Sequence, residues 1–389
     1  MNSRFPALLL AIVAGSAAAV PSYTVRDLGA IGIESEAHAI NGTGIVVGLS
    51  YDTIAAHLAV RFDEPVPVPL LQPSGAQQQQ AVGISDPGDI ASMAFSLNSV
   101  GAEAFITMDG LPPIQIPDFI PRAIDTDGHL VGARPVLTND NIYSETAAVW
   151  DGLTVTDLAP FSGSSWSIAH DISPDGTVVG AAIPAGALRP RAVLWGQAPV
   201  DLGTLGGESA QAIAINAAGT IVGVADTPTG HPHAFMFRLS GTSVAERIDL
   251  GALGGDASAA RDINDHEQVV GASFGHAFLW HKGVIHDLNQ LVADLDGWDL
   301  QSARAINNAG VIVGHGLHTP FGRRAFMLVP VIDCTADLSG DGILDLQDIQ
   351  AFIAAFLNAQ PAADLAEPFG IFDLADITAF VTAFLAGCP

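Results

Sequence analysis

The stretch DLSGDGILDLQD, residues 337–348, has the residue types and the spacing to hold a hard cation. Oxygen-bearing side chains fall at loop positions one, three, five, nine and twelve: Asp337, Ser339, Asp341, Asp345 and Asp348. Ile343 at position seven offers its backbone carbonyl, and Gly342 stands at position six, where such a loop turns sharply. Many flexible oxygen ligands, with no sulfur or imidazole among them, favour calcium over magnesium or zinc. Asp rather than Glu at position twelve shortens the last ligand and weakens the site. A second, degenerate loop, DLAEPFGIFDLAD at 364–376, keeps Asp364, Asp373 and Asp376 as ligands for a second calcium.

Elsewhere the chemistry is sparse. Among twelve histidines the closest pairs are His231 with His233 and His315 with His318, and neither has a Cys or carboxylate at ligand spacing. His233 and His276 share one repeat position with Glu103, Thr146, Arg191 and Arg324, which makes them ordinary strand residues. A nucleophile-elbow serine and a phosphate-loop Lys-Ser/Thr are both missing from the sequence. Gly206-Gly207 and Gly254-Gly255 form no dinucleotide fingerprint. The sequence therefore assigns no catalytic residue and no organic cofactor.

The elements that would position any site are repeats. AIAINAAGTIVG, residues 212–223, recurs around Ile40, Ile84, Ile124, Ile172, Ile215, Ile263 and Ile306, at intervals of 40–48 residues. Asn, Ser or Asp follows each isoleucine, and glycine stands three residues further on in every copy but one, where Glu267 replaces it. This reads as strand, tight turn, strand. Two more strands complete a unit: an Ala-aromatic run such as HAFMF at 233–237, and a run ending in Asp-Leu such as RIDLG at 247–251. The last unit lacks its Asp-Leu strand, while an orphan, YTVRDLG at 23–29, precedes the first. An all-β, seven-bladed β-propeller over residues 20–331 follows, with the N-terminal strand closing the ring and removing the exposed edges. Whatever is functional in it should lie where the copies differ.

Residues 332–389 hold nine acidic residues and no Lys, Arg or His. Ile349, Phe352, Ile353, Phe356 and Leu357 form a helical apolar stripe, repeated by Ile377, Phe380, Val381, Phe384 and Leu385. The two stripes are expected to pack together. So small a core needs a staple, which a Cys334–Cys388 disulfide would supply. At the other end, Arg4, an apolar run over 5–13 and Ala17-Ala18-Ala19 read as a signal peptide of residues 1–19, cut after Ala19. A secreted protein without a membrane span is expected. The net charge of −27, with Lys282 the single lysine, argues against nucleic acid and anionic lipid as partners.

HAFMF and HAFLW, with DLGTLGG at 201–207 and DLGALGG at 249–255, resemble the bacterial extracellular HAF repeat family over roughly residues 23–331. That resemblance implies an extracellular repeat protein and no general catalytic activity. The tail resembles type I dockerins of the Cys-bounded planctomycete kind. It implies a small α-helical, EF-hand-type calcium module that docks onto a cohesin-like partner. Leu346-Gln347 and Leu374-Ala375 stand where many dockerins carry Ser/Thr for cohesin recognition, which turns the expectation from a cellulosomal cohesin to another scaffold or cell-surface partner.

Together these readings predict a secreted, non-catalytic binding or scaffold protein. The propeller would present a surface for a glycan or protein, and the calcium-binding tail would attach it. The alternative is an extracellular polysaccharide hydrolase with its site in the propeller channel and the tail as targeting module. That alternative requires two channel carboxylates about 5–10 Å apart. An apolar channel would exclude it.

Overall fold

The repeat hairpin owes its shape to two residues. In the copy at 212–223, the Asn216 Oδ1 accepts the N–H groups of Ala218 and Thr220 at 3.1 and 2.9 Å. Gly219 takes φ +81°, a conformation costly for other residues, and donates its N–H to the Asn216 carbonyl at 3.0 Å. Strands Ala210–Ile215 and Ile221–Asp226 flank this turn. Glu267 adopts φ +55° in the copy that lacks glycine, and its carboxylate is held by Arg238 and Thr220.

The Asp-Leu strand is built as locally. Asp27, Asp201 and Asp249 each accept the N–H of the glycine two residues on, at 2.8–2.9 Å, and so turn the chain out of the strand. The leucine between is buried at Leu28, Leu202 and Leu250. The aspartate also meets a basic side chain on the neighbouring strand: Arg191 with Asp201 at 3.1 Å, His233 with Asp249 at 2.8 Å, His276 with Asp287 at 3.0 Å. His233 and His276 are thus cross-strand partners of Asp, as their shared repeat position suggests.

The computed structural model describes residues 21–53, 56–63, 66–71, 78–95, 102–108, 111–137, 143–331, 336–338, 344, 346–366 and 370–386. Among these, twenty-eight strands form five four-stranded sheets and one eight-stranded sheet. The orphan strand Ser22–Asp27 pairs antiparallel with Gly322–Val331 and completes the last sheet. Leu28, Val313 and Ala325 of that sheet pack with Ala37, Val46 and Val60 of the first, so the sheets close into a ring. The chain is a β-propeller.

One departure from four strands per sheet occurs early. The first two units share a sheet through a single parallel pairing, His57 with Gln78. The outer strand of the first unit, Val68–Pro69, is only two residues long. Pro67 and Pro69 lack ladder donors, so this strand leaves part of its neighbour's edge open to the next unit.

Turns of adjacent sheets are stitched together. Asn216 Nδ2 donates to the Asn264 carbonyl, Asn264 Nδ2 to the Asn307 carbonyl, and Asn307 Nδ2 to the Asn41 carbonyl, at 3.1–3.2 Å. The last of these crosses the ring closure. Asn41 Nδ2 extends the ladder to Ser85 O at 3.1 Å.

The tail forms helices Leu346–Leu357 and Leu374–Ala386. Phe352 stacks on Phe380 with ring centroids 4.1 Å apart, over Ala336, Ala355 and Ala363. Only part of each stripe is used. Ile353, Leu357, Val381 and Leu385 are exposed. The two stripes meet edge-on through their phenylalanines, and the flanking aliphatic residues fall outside that contact. Cys334 and Cys388 lie outside the described residues.

Candidate functional site

The inner strand of every unit carries a β-bulge. The register shifts across residue 38, 82, 122, 170, 213, 261 or 304, two positions before the repeat isoleucine. A bulge re-aims the extra side chain, and here it aims it at the axis of the ring. His38, Val82, Arg122, His170, Ile213, Arg261 and Arg304 all line one central cavity of about 500 Å³. Opposite the bulge stands the last glycine of the repeat motif. A Cβ on Gly223 would lie 2.0 Å from the Gln211 carbonyl oxygen. Glycine there leaves room for that carbonyl, although the second unit bulges in the same way opposite Ser92.

This ring was missed by sequence reasoning. Its signal was present as a position that varies between His, Val, Arg and Ile beside positions that hardly vary. The turns, which drew attention first, are structural.

The cavity is polar, with Arg122, Arg261 and Arg304 and the carboxyls of Glu36, Asp171 and Asp262 on its wall. Enclosure by protein and the Arg304 charge lower the Arg261 pKa. Burial, with Arg122 and Arg261 nearby, pushes His170 down to about 4, so its imidazole is neutral at neutral pH. His170 Nε2 and Arg304 Nε are enclosed with no hydrogen-bond partner among the described residues. Glu36 lies 2.9 Å from Arg323 and 3.9 Å from Arg304. Burial raises its pKa, but neighbouring His38, His315 and Arg304 outweigh that and hold the carboxyl at about 2. Burial pushes His315 itself to about 4, so at neutral pH the guanidinium groups are the cations that hold Glu36.

Two further carboxyls reach the channel wall. Asp171 accepts the N–H groups of Ile172 and, from the next unit, Ile215, at 2.9 and 2.8 Å. Asp262 does the same with Ile263 and Ile306, both at 2.8 Å. Enclosure by protein raises both to about 7 against the pull of these N–H groups. Each uses both oxygens to bind one inner strand to the next. They are staples between sheets.

In the tail, Asp337 and Asp348 are described and Asp348 is fully buried at the start of its helix. Ser339, Asp341, Ile343 and Asp345 lie outside the described residues. In the second loop, Asp376 spends its oxygens on the N–H groups of Leu365, Ala366 and Asp373. Asp373 caps the helix through the Ala375 N–H. Asp364 accepts the Gly370 N–H through Oδ2, while its Oδ1 is enclosed without a partner and suits a cation. Asp376 is engaged by the backbone, and Asp364 keeps one oxygen with no partner among the described residues. The structure also gathers Asp125, Asp127 and His129 within 4.8 Å in one turn, where Asp125 already accepts two N–H groups and meets the His129 ring.

No family model matches the chain, and no curated protein matches it. Solved structures similar to it include the β-propeller domain of the Trilobed protease from Pyrococcus furiosus, with a TM-score of 0.47 and 12% identity over 79% of this chain and 97% of that one. YCF48 bound to D1 peptide gives 0.46 and 14%, over 82% and 97%. TolB from Acinetobacter baumannii gives 0.42 and 11%, over 78% of this chain, which spans 65% of the TolB chain. The fold assignment rests on the strand pairing and the ring closure.

Proposed function

We propose that the chain is a secreted, non-catalytic binding protein. A seven-bladed propeller of HAF-type repeats, closed by its N-terminal strand, presents the ligand surface. A dockerin-like tail, stabilised by calcium at Asp337, Ser339, Asp341, Ile343, Asp345 and Asp348, attaches it to a scaffold or cell-surface partner. The observation that carries this reading is the disposition of the channel carboxyls. Asp171 and Asp262, the pair a hydrolase would need, have both oxygens engaged by backbone N–H groups. Among the described residues, the channel groups left without a partner are the Arg122 and Arg261 guanidinium groups, which bind and orient but do not transfer protons at neutral pH, and the enclosed His170 Nε2. The exposed aliphatic residues of the tail helices support attachment through that module.

The test uses the full chain with and without calcium. Immobilised protein should capture a glycan or protein from an array without converting it, and calcium should raise the melting temperature of the tail transition. Turnover of a polysaccharide, abolished by Asp171→Asn or Asp262→Asn, would establish the hydrolase instead. A tail whose melting ignores calcium would remove the loop assignment.

A further inference from the structure

Arg122 and Arg261 make no hydrogen bond or ion pair among the described residues, although both project into the same cavity. Their presence there is unexpected on composition. The chain has 14 Lys and Arg against 41 Asp and Glu, yet three of its arginines converge on the axis. Three carboxyls share that wall, and each is otherwise engaged: Glu36 pairs with Arg323 and lies 3.9 Å from Arg304, and Asp171 and Asp262 face backbone N–H groups.

The side chains of Arg122 and Arg261 are open to water within the channel, so they are solvated rather than stranded. Cations of one sign in a walled cleft focus their field into it and concentrate anions there. Guanidinium adds geometry, because its planar fork matches carboxylate and phosphate oxygens two at a time. The enclosed Arg304 Nε and His170 Nε2 are further polar atoms with no protein partner. Tyr51, Met93 and Leu49 also line the cavity and suit the uncharged body of an organic molecule. A volume of about 500 Å³ accommodates a ligand of sugar to disaccharide size.

We propose that the central cavity binds a small organic oxyanion, held by Arg122, Arg261 and Arg304 with its uncharged portion against Tyr51 and Met93. This rests on the binding-protein reading and names the ligand class for it. The shared chemistry is the oxyanion, which a carboxylated or a phosphorylated molecule can supply. The two are separated by the choice of probe.

The full-length protein is titrated by calorimetry and thermal melting with tricarballylate, digalacturonate and glucose 6-phosphate. Salt is kept near 0.1 M, where the acidic exterior is screened beyond about 10 Å. Glucose and galactose are the uncharged counterparts. At least one anion should bind saturably and raise the melting temperature, and neither neutral sugar should. Response to the first two alone assigns carboxylate, and response to glucose 6-phosphate alone assigns phosphate. Arg122→Gln and Arg261→Gln should each weaken binding about tenfold or more, with Arg261→Lys regaining part of the loss. Ile213→Glu offers an independent variant. It places a carboxylate in the same ring without removing a cation, and it should compete with the ligand. Absence of a saturable signal from every anion overturns the proposal, as does unchanged affinity in the folded Arg122→Gln/Arg261→Gln double variant. Capture of a neutral glycan or a protein without any anion binding overturns this site and leaves the binding-protein reading standing. Conversion of a bound anion to product overturns the non-catalytic reading and leaves the site.

Discussion

Two arcs of the ring differ in a single side chain per unit. From the fifth unit through the seventh to the first, the turn residue is Asn216, Asn264, Asn307 or Asn41. From the second to the fourth it is Ser85, Asp125 or Ser173. Both sets close their own turns. Ser85 Oγ accepts the Asp89 N–H, Asp125 Oδ1 accepts those of Asp127 and His129, and Asn216 Oδ1 those of Ala218 and Thr220. Only asparagine has an amide left over, and only the asparagine arc extends a side-chain ladder from turn to turn across the sheets. A side chain that can both accept and donate serves the unit and the ring at once. One that can only close its turn leaves the ring to other contacts, such as the Asp171 bridge to Ile215. The regular sheet pattern loosens where the two arcs meet, with the first two units joined through His57 and Gln78.

The sharpest way to break this comparison is to put the second unit's serine where the fifth unit has glycine opposite its bulge. Unit two carries Ser92 where the other units carry glycine, and Ser92 accepts from Gln79 Nε2 at 3.2 Å. Gly223→Ser puts a Cβ 2.0 Å from the Gln211 carbonyl and 3.0 Å from Phe235. The expected loss is about 3 kcal/mol or more by chemical denaturation, with a distorted channel wall at Ile213. If the variant is as stable as the parent, the arcs are interchangeable at this position and glycine has no structural role there.

The second test concerns pH and sits in the weaker arc. His170 has a folded-state pKa near 4 against 6.5 when free, so the folded protein refuses a proton that the unfolded chain accepts. Stability from this group is intact above pH 6.5 and is lost as the pH falls toward 4, by no more than about 3 kcal/mol. His170→Gln should flatten that part of the curve. His315 keeps its own share in the variant. Asp171 and Asp262, raised to about 7, slope the opposite way, losing stability as the pH rises from about 4 to 7. The difference between parent and variant therefore isolates the histidine. Identical curves would show that water in the channel screens it.

Much of the fold was legible because its devices are local. Asn216 and Gly219 specify a turn within four residues, and Asp249 with Gly251 ends a strand within three. The orphan strand at 23–29 was legible as a fragment missing from residues 322–331. The candidate site was not read, because a bulge is a relation between two strands. Arg122, Arg261 and Arg304 lie far apart in sequence and share only an offset from the repeat isoleucine. Nothing local distinguishes an arginine aimed at the axis from one aimed at solvent. The tail was read half correctly. Phe352 and Phe380 meet as their periodicity requires, but periodicity could not tell that Leu357 and Leu385, on the same stripes, remain exposed.

The ladder itself can be cut with less damage. Asn264→Ser gives the sixth unit the residue that the second and fourth already use. The serine hydroxyl can still accept an N–H within its turn, but the donor to the Asn307 carbonyl at 3.1 Å is gone. The expected loss is about 1–2 kcal/mol, read as a lower denaturation midpoint at constant slope. Ser173→Ala in the other arc should cost less, since Ser173 donates within its own turn and to none beyond it. Equal losses would mean that the amide ladder adds nothing to cohesion between sheets.

The smallest effect belongs to a histidine at a strand position shared by the repeats. His233 meets Asp249 at 2.8 Å across two strands, at a position that Arg191 fills in the preceding unit with Asp201. The pair is partly exposed, and such pairs contribute less than about 1 kcal/mol. Asp249 also keeps its bond to the Gly251 N–H when the imidazole is removed. His233→Ala should therefore lower stability only slightly and leave anion binding in the channel unchanged, because His233 lies on the third strand of its sheet and not on the channel-lining one. A large loss of anion affinity in this variant would place the ligand on the outer strands. It would reverse the assignment of function to the axis and of structure to the repeats.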